Sequence, residues 1–334
     1  MFALILAAAL TQDPAEAATA PPAVYVKPDA DLGVPLNDNA TVYLDAPGGR
    51  LWLKTVVVQR TAPLEMFLCR RGSKDHETIV AVESPAFVIH GGLVALGIEP
   101  GTPATFAPDE TDDDPPRFIP PTGPKLDLVV HWSQDGEMKT ADASDWIRTV
   151  TRRWFTTPLA AEAGKDIPLP EDLDVRYDAA YEELLFFGTL TDDVRDRLKK
   201  LSDDPAFAKA LNEIHEKSQP AGMDTDWVFT GSQFVTDSRT GERRYLAEGG
   251  TFVCTANFGE AMIDVAERSS ASGESLLYEP WEERVPPLGT PVLLEIRRAA
   301  KERDASATDG PARPSTIADR PADPKADDDP NPAD

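Results

Sequence analysis

The sequence predicts an α+β fold: a β-rich mixed core with one packed helix, split by a helical insertion. Three observations predict it. Short apolar runs bounded by Gly, Pro and Asp turn signals recur in both halves of the chain. A Ser-Pro start and a glycine stop bracket one apolar helical stretch at 84–97. Between the two β-like halves, residues 151–222 change to a helical period.

Taken in order, Thr41–Leu44 and Leu51–Val58 read as strands joined by the turn Ala46-Pro-Gly-Gly49. Leu64–Cys69 and His76–Val82 read as two more strands, with a short charged loop between them. Ser84 then stands as a helix N-cap and Pro85 at the first helical position, where its missing N–H costs nothing. Phe87, His90, Gly91 and Val94 share one face of that helix, and Gly97 suits the left-handed residue just past its end. The acidic run Asp109–Asp114 lacks the alternating ligands and central glycine of an EF-hand, and reads as a solvated loop. Lys125–Trp132 is a strand, Gln134-Asp-Gly136 a turn and Met138 onward the return strand. Asp145–Ile147 ends this half as a short helix.

The insertion predicts three helices. The first is Arg176–Phe187. The second is Asp192–Leu201, capped by Thr191, with Val194, Leu198 and Leu201 on one face. The third starts at Asp204-Pro205, with Phe207, Leu211 and Ile214 on one face. Strand signals then return at Trp227–Val235, Arg243–Leu246, Thr251–Ala256, Ser275–Tyr278 and Pro291–Ile296.

The chain has 334 residues, 41% of them hydrophobic, enough to bury a core in one or two domains. Its formal net charge of −25 speaks against nucleic acid and anionic lipid as partners, since binding either means neutralising phosphates with Lys or Arg. With 2 cysteines, an ordinary iron–sulfur cluster and an all-cysteine zinc site are both excluded within one chain, and no cofactor is expected. The apolar run Phe2–Leu10, followed by small residues through Ala18 and Ala20, reads as a signal peptide over residues 1–20, although it lacks a basic n-region. The run is too short for an ordinary membrane span, so the expectation is a periplasmic or extracellular protein, not an integral membrane protein. Residues 21–38 read as a linker, and the Ala-, Asp- and Pro-rich residues 299–334 as a disordered acidic tail.

Chemistry-bearing residues gather in FLCRRGSKDHETIVAV, residues 67–82. Cys69 is followed by Arg70, Arg71, Lys74 and His76, and His90 lies on the next helix. A thiolate nucleophile needs a neighbouring cation or imidazole to lower its pKa, so Cys69 with His76 or His90 as base would suit a Cys/His hydrolase or a thiol redox protein. The same three residues would make an open zinc site. The other reading is structural: Cys69 ends an apolar run, Arg70, Arg71 and Lys74 form a solvated loop, and His90 is a satisfied core histidine. Arg70, Arg71, Lys74 and Glu77 are candidates for ligand binding. No CxxC, HExxH or GxSxG pattern is present. Cys254, in the apolar run Thr251–Cys254, is a core residue on this reading, with a Cys69–Cys254 disulfide left open.

The stretch Cys69-Arg-Arg-Gly-Ser-Lys-Asp-His-Glu77, followed by the His90 helix and Pro100-Gly101, resembles the YdjY domain. Trp227–Ser232, Asn257-Phe258, Met262-Ile-Asp264 and the 286–292 stretch are similar to the second half of that domain. The resemblance implies a first half at 39–150, a helical insertion at 151–222 and a second half at 223–298. It supplies no reaction, and it implies that Cys69, Gly72, His76, Glu77 and His90 are the positions to test. A ferredoxin-type label carried by the family's namesake is at odds with a chain of 2 cysteines. The leading expectation is a non-catalytic exported module that binds a small ligand or another envelope component. Whether the protein is an enzyme stays open.

Overall fold

Eight strands close on themselves to make a barrel. They are β1 (Arg50–Val57), β2 (Met66–Arg70), β3 (Thr78–Val82), β4 (Lys125–Gln134), β5 (Trp227–Phe229), β6 (Val253–Cys254), β7 (Ile263–Val265) and β8 (Pro291–Arg298). The circuit runs β1–β8–β4–β5–β7–β6–β2–β3 and closes where β3 pairs with β1. The computed structural model describes residues 23–107, 117–236, 238–270 and 276–300; the expected leader, the acidic loop 109–114 and residues 301–334 lie outside them.

The α+β expectation is therefore corrected: the protein is mostly β, built on a closed barrel, with four short α-helices among the described residues. The strand signals were read locally, whereas closure depends on distant pairs. Thr55 lies opposite Val82, and Leu53 opposite Leu294. The strands still follow elementary patterning. In β1, Leu51 and Leu53 point into the core while Trp52 packs outward. Leu128 and Val130 of β4, and Val292, Leu294 and Ile296 of β8, continue the inner face. Apart from Arg70 and Thr78, β2 and β3 are apolar, and every residue in them but Arg70 is buried, as expected of strands covered on both faces.

The outer face of β1, β8 and β4 carries a second small core, where Leu32, Tyr43, Trp52 and Leu293 pack with Tyr25 and Val26. Residues expected as linker thus cover this wall. Beside that core the His131 ring lies 3.0 Å from the Glu295 carboxylate.

The helix α1 (Ala86–Ala95) sets Ala86, Ile89 and Leu93 into the barrel core. Its end is a Schellman motif: Gly97, at φ +73°, donates to Val94 O at 2.9 Å, and Ile98 donates to Leu93 O at 3.1 Å. The expected N-cap moves by one residue. Pro85 takes that position with no side-chain cap, and the Ser84 hydroxyl instead donates to Pro85 O.

Residues 154–218 form a separate core of their own. Here the expected helix over Arg176–Phe187 is two strands, Val175–Asp178 and Glu183–Phe187, and the second also pairs with Trp154–Pro158. The chain reverses at Glu182, which takes a left-handed φ of +52°. α2 (Ala161–Gly164), α3 (Asp192–Lys199) and α4 (Pro205–Ser218) complete the unit. Leu198, Phe207, Leu211 and Ile214 fill its core on the expected faces, and Asp204 caps α4 by accepting from Ala206 N.

Candidate functional site

The order of β2, its following loop and β3 decides where the candidate residues go. β2 and β3 are parallel neighbours, with Met66 opposite Thr78 and Arg70 opposite Val82. The seven residues Arg71–Glu77 must therefore run back along the full length of the strand. One end of this return loop lies at the C-terminal end of the pair, the other at its start. The two ends are roughly 13 Å apart, four steps along the strand at ~3.3 Å each.

Local chemistry explains why these residues make that loop. Gly72 takes φ +77°, a left-handed backbone that side chains disfavour. Its N–H donates to Asp75 Oδ1 at 2.9 Å, and the Cys69 thiol donates to the same oxygen at 3.6 Å. Ser73 closes the turn onto Arg70 O. The family-like spacing of cysteine, glycine and acid thus shapes the backbone.

At the start of the strand pair, Lys74 Nζ sits 3.2 Å from Glu65 Oε2 and 3.2 Å from Glu77 Oε1. It also lies 5.0 Å above the Phe258 ring. Burial works to lower the lysine pKa, but the two carboxylates outweigh it and the net shift is upward. Burial raises the pKa of Glu65. His76 is also at this end, with its side chain 77% exposed and its Nε2 3.6 Å from Glu77 Oε2.

Cys69 points elsewhere, into an apolar cluster with Met66, Ala81, Cys254 and Ala261. Both cysteines are buried free thiols. Burial pushes the Cys69 thiol up, and the Asp75 carboxylate adds to the shift. Cys254 is held well above its ordinary value, first by burial and then by Asp264.

His90 lies on α1 against Phe229 and Tyr245, with ring centroids 5.2 and 5.5 Å away. Its Nδ1 is 2.9 Å from the Tyr245 hydroxyl, which donates to Gly231 O at 3.0 Å. The hydroxyl proton is thereby committed, so Nδ1 carries the ring's N–H. Burial lowers the imidazole pKa and favours the neutral ring. Cys69, His76 and His90 thus occupy three different surroundings: an apolar cluster, an exposed loop end and an aromatic cage. Among the described residues no group of three or more His, Cys, Asp or Glu is placed to hold a metal ion.

The C-terminal end of the strand pair is open. A cleft of about 320 Å³ is lined there by Asn39, Arg70, Arg71, Glu83, Ser84 and Pro85. The parallel register brings this set together, because Arg70 and Arg71 leave β2 where Val82 and Glu83 leave β3. Arg71 N donates to Val82 O at 2.9 Å. Arg70 is half exposed and reaches Glu248 only at 4.0 Å. Neither Arg71 nor Glu83 has an ion-pair partner among the described residues. Asn39 is anchored, its amide donating to Glu83 O at 2.7 Å. Arg70 and Arg71 were legible as candidates. Glu83 was not, although its place just before the Ser84-Pro85 helix start marks a strand end. Asn39 comes from far along the chain, and no spacing in the sequence points to it.

The sequence reading also passed over a buried polar knot on β7. Asp264 is fully buried and its Oδ1 accepts from Asn257 Nδ2 at 3.1 Å and from Val265 N at 2.8 Å. Its Oδ2 has no hydrogen-bond partner among the described residues. Burial raises this carboxyl to about 8.

No helix among the described residues is long and apolar enough to cross a membrane. No curated protein and no solved structure matches the chain. One family model does match, that of the YdjY domain, over residues 43–158. The matched stretch contributes β1 to β4, the return loop and α1, while β5 to β8 complete the same barrel from outside it. The chain carries a YdjY-type domain over residues 43–158, which holds the return loop and all of the cleft lining except Asn39.

Proposed function

We propose that this protein is a non-catalytic binding module that uses the Arg70–Arg71 cleft to hold a small ligand or a group on another envelope component. The observation that carries the reading is the Arg71 guanidinium, without an ion-pair partner among the described residues, bordering a cleft of about 320 Å³. A nucleophilic role for Cys69 has less support. Its thiol is buried, its pKa is raised, and its neighbour is a carboxylate instead of a cation. The apolar run Phe2–Leu10 supports export, and the net charge of −25 argues against nucleic acid as the ligand.

A thermal-shift screen of small metabolites and envelope extract on the full chain tests the reading. The expected result is at least one compound that raises the unfolding midpoint of the wild type and leaves Arg71→Gln unmoved. A screen with no Arg71-dependent hit overturns it. Export is tested separately by fractionation of producing cells, and protein confined to the cytoplasm sinks that part.

A further inference from the structure

We infer that the cleft takes a small zwitterion, a free amino acid or a short peptide, with the ligand carboxylate on Arg70 and Arg71 and its ammonium on Glu83. This deepens the binding reading and rests on it. The cleft brings together two guanidinium-bearing residues and one carboxylate-bearing residue. Arg71 and Glu83 are both exposed at the cleft and do not pair with each other, and neither has another ion-pair partner among the described residues. A ligand carrying both charges would satisfy the two at once.

Two polar groups of the lining already have backbone partners in the fold. The Asn39 amide is spent on Glu83 O, at 2.7 Å, and the Ser84 hydroxyl on Pro85 O, at 3.1 Å. A plain anion would leave Glu83 as a repulsive wall, and a plain cation would meet two arginines. Arg70 makes only a long 4.0 Å contact with Glu248, whose carboxylate accepts from Phe87 N at 3.0 Å. A guanidinium fork suits a carboxylate by offering parallel N–H donors, and such charge-assisted bonds are the strong ones.

Isothermal titration of the full chain with alanine, alanyl-alanine, N-acetylalanine and inorganic phosphate tests this. Alanine or alanyl-alanine is expected to bind, and the tighter of the two identifies the source. N-acetylalanine, which lacks the ammonium, is expected to bind at least about tenfold more weakly, as are both zwitterions to Arg71→Gln and to Glu83→Gln. Unfolding midpoints of the two variants, measured alongside, show that each is folded. The inference is overturned if neither zwitterion binds, if N-acetylalanine or phosphate binds as well as the zwitterion, or if Glu83→Gln has no effect. Any of these still leaves the broader reading standing when the metabolite screen yields an Arg71-dependent compound. A screen with no such compound removes both.

Discussion

The two ends of the return loop are built on opposite plans. At the start of the strand pair, Lys74 is held between Glu65 and Glu77, covered by Phe258 and backed by the cluster containing both cysteines. At the other end, Arg71 and Glu83 border an open cleft without ion-pair partners among the described residues. Both ends belong to one seven-residue segment, so composition does not distinguish them. Neighbours do: the closed end is matched for charge and buried, and the open end is neither. The difference predicts that substitutions at the closed end cost stability, and that substitutions at the open end cost binding alone.

The largest effect is expected deepest behind the closed end, at Asp264. Its folded-state pKa of about 8 stands far above the ordinary 3.8 of the unfolded chain. Between those values the folded state keeps a proton that the unfolded state has released. Stability must therefore fall as pH rises from about 4 to about 8, and level off above that. The total is on the order of several kcal/mol, as each pKa unit corresponds to ~1.4 kcal/mol. Asp264→Asn removes the titration. Urea unfolding midpoints for wild type and variant should diverge from pH 5 to pH 8, with the variant the flatter. Parallel curves would show that Asp264 is ionised in the fold and that the closed end is less dry than its geometry implies.

Next in size is Lys74. Removing it leaves two half-buried carboxylates facing each other without their cation. Lys74→Ala is expected to cost about 2 kcal/mol, between the values for exposed and for fully buried pairs. Pairing it with Glu65→Gln should recover part of the loss in a double-mutant cycle; strict additivity would mean that the ion pair contributes nothing. Asp75 follows. Asp75→Ala removes the acceptor of the Gly72 N–H and the Cys69 thiol and should cost about 1.5 kcal/mol. It should also speed alkylation of Cys69 in the native protein, because the loop that covers the thiol loses its anchor. An unchanged alkylation rate would mean that the apolar cluster alone protects Cys69.

How much of this was legible in the sequence can be argued from particular residues. The strands from 42 to 82 were placed to within a few residues, because turn chemistry and apolar runs are local signals. The fold class was not, because barrel closure rests on pairs such as Thr55 with Val82 that no window contains. On α1 the sequence reading grouped Phe87, His90, Gly91 and Val94 on one face. In the fold Phe87 is 59% and Val94 42% exposed, while Ala86, Ile89 and Leu93 enter the core. Apart from His90 the helix is apolar all round, so periodicity had no polar face to contrast with it. Residues 176–187 read as a helix because Ala, Glu and Leu favour one, yet pairing with Trp154–Pro158 makes the second half a central strand. The candidate triad failed to meet for a similar reason. A loop between two strands suggests a hairpin that draws its ends together, but the parallel register separates Arg70 and Arg71 from His76 and Glu77.

The smallest stability effect is expected at Arg71, and it tests the comparison most directly. The guanidinium makes no ion pair among the described residues, and its backbone N–H holds the loop to β3. Arg71→Gln keeps that backbone bond and much of the side-chain length. Its unfolding free energy should match the wild type within about 0.5 kcal/mol, the range for surface changes that touch no special feature. A loss above 1 kcal/mol would mean that the arginine is already satisfied within the fold, and the cleft would then have no free cation to offer. Stability unchanged and ligand response lost is the combination that separates an open end from a closed one: a side chain that the fold does not need, placed where a ligand could use it.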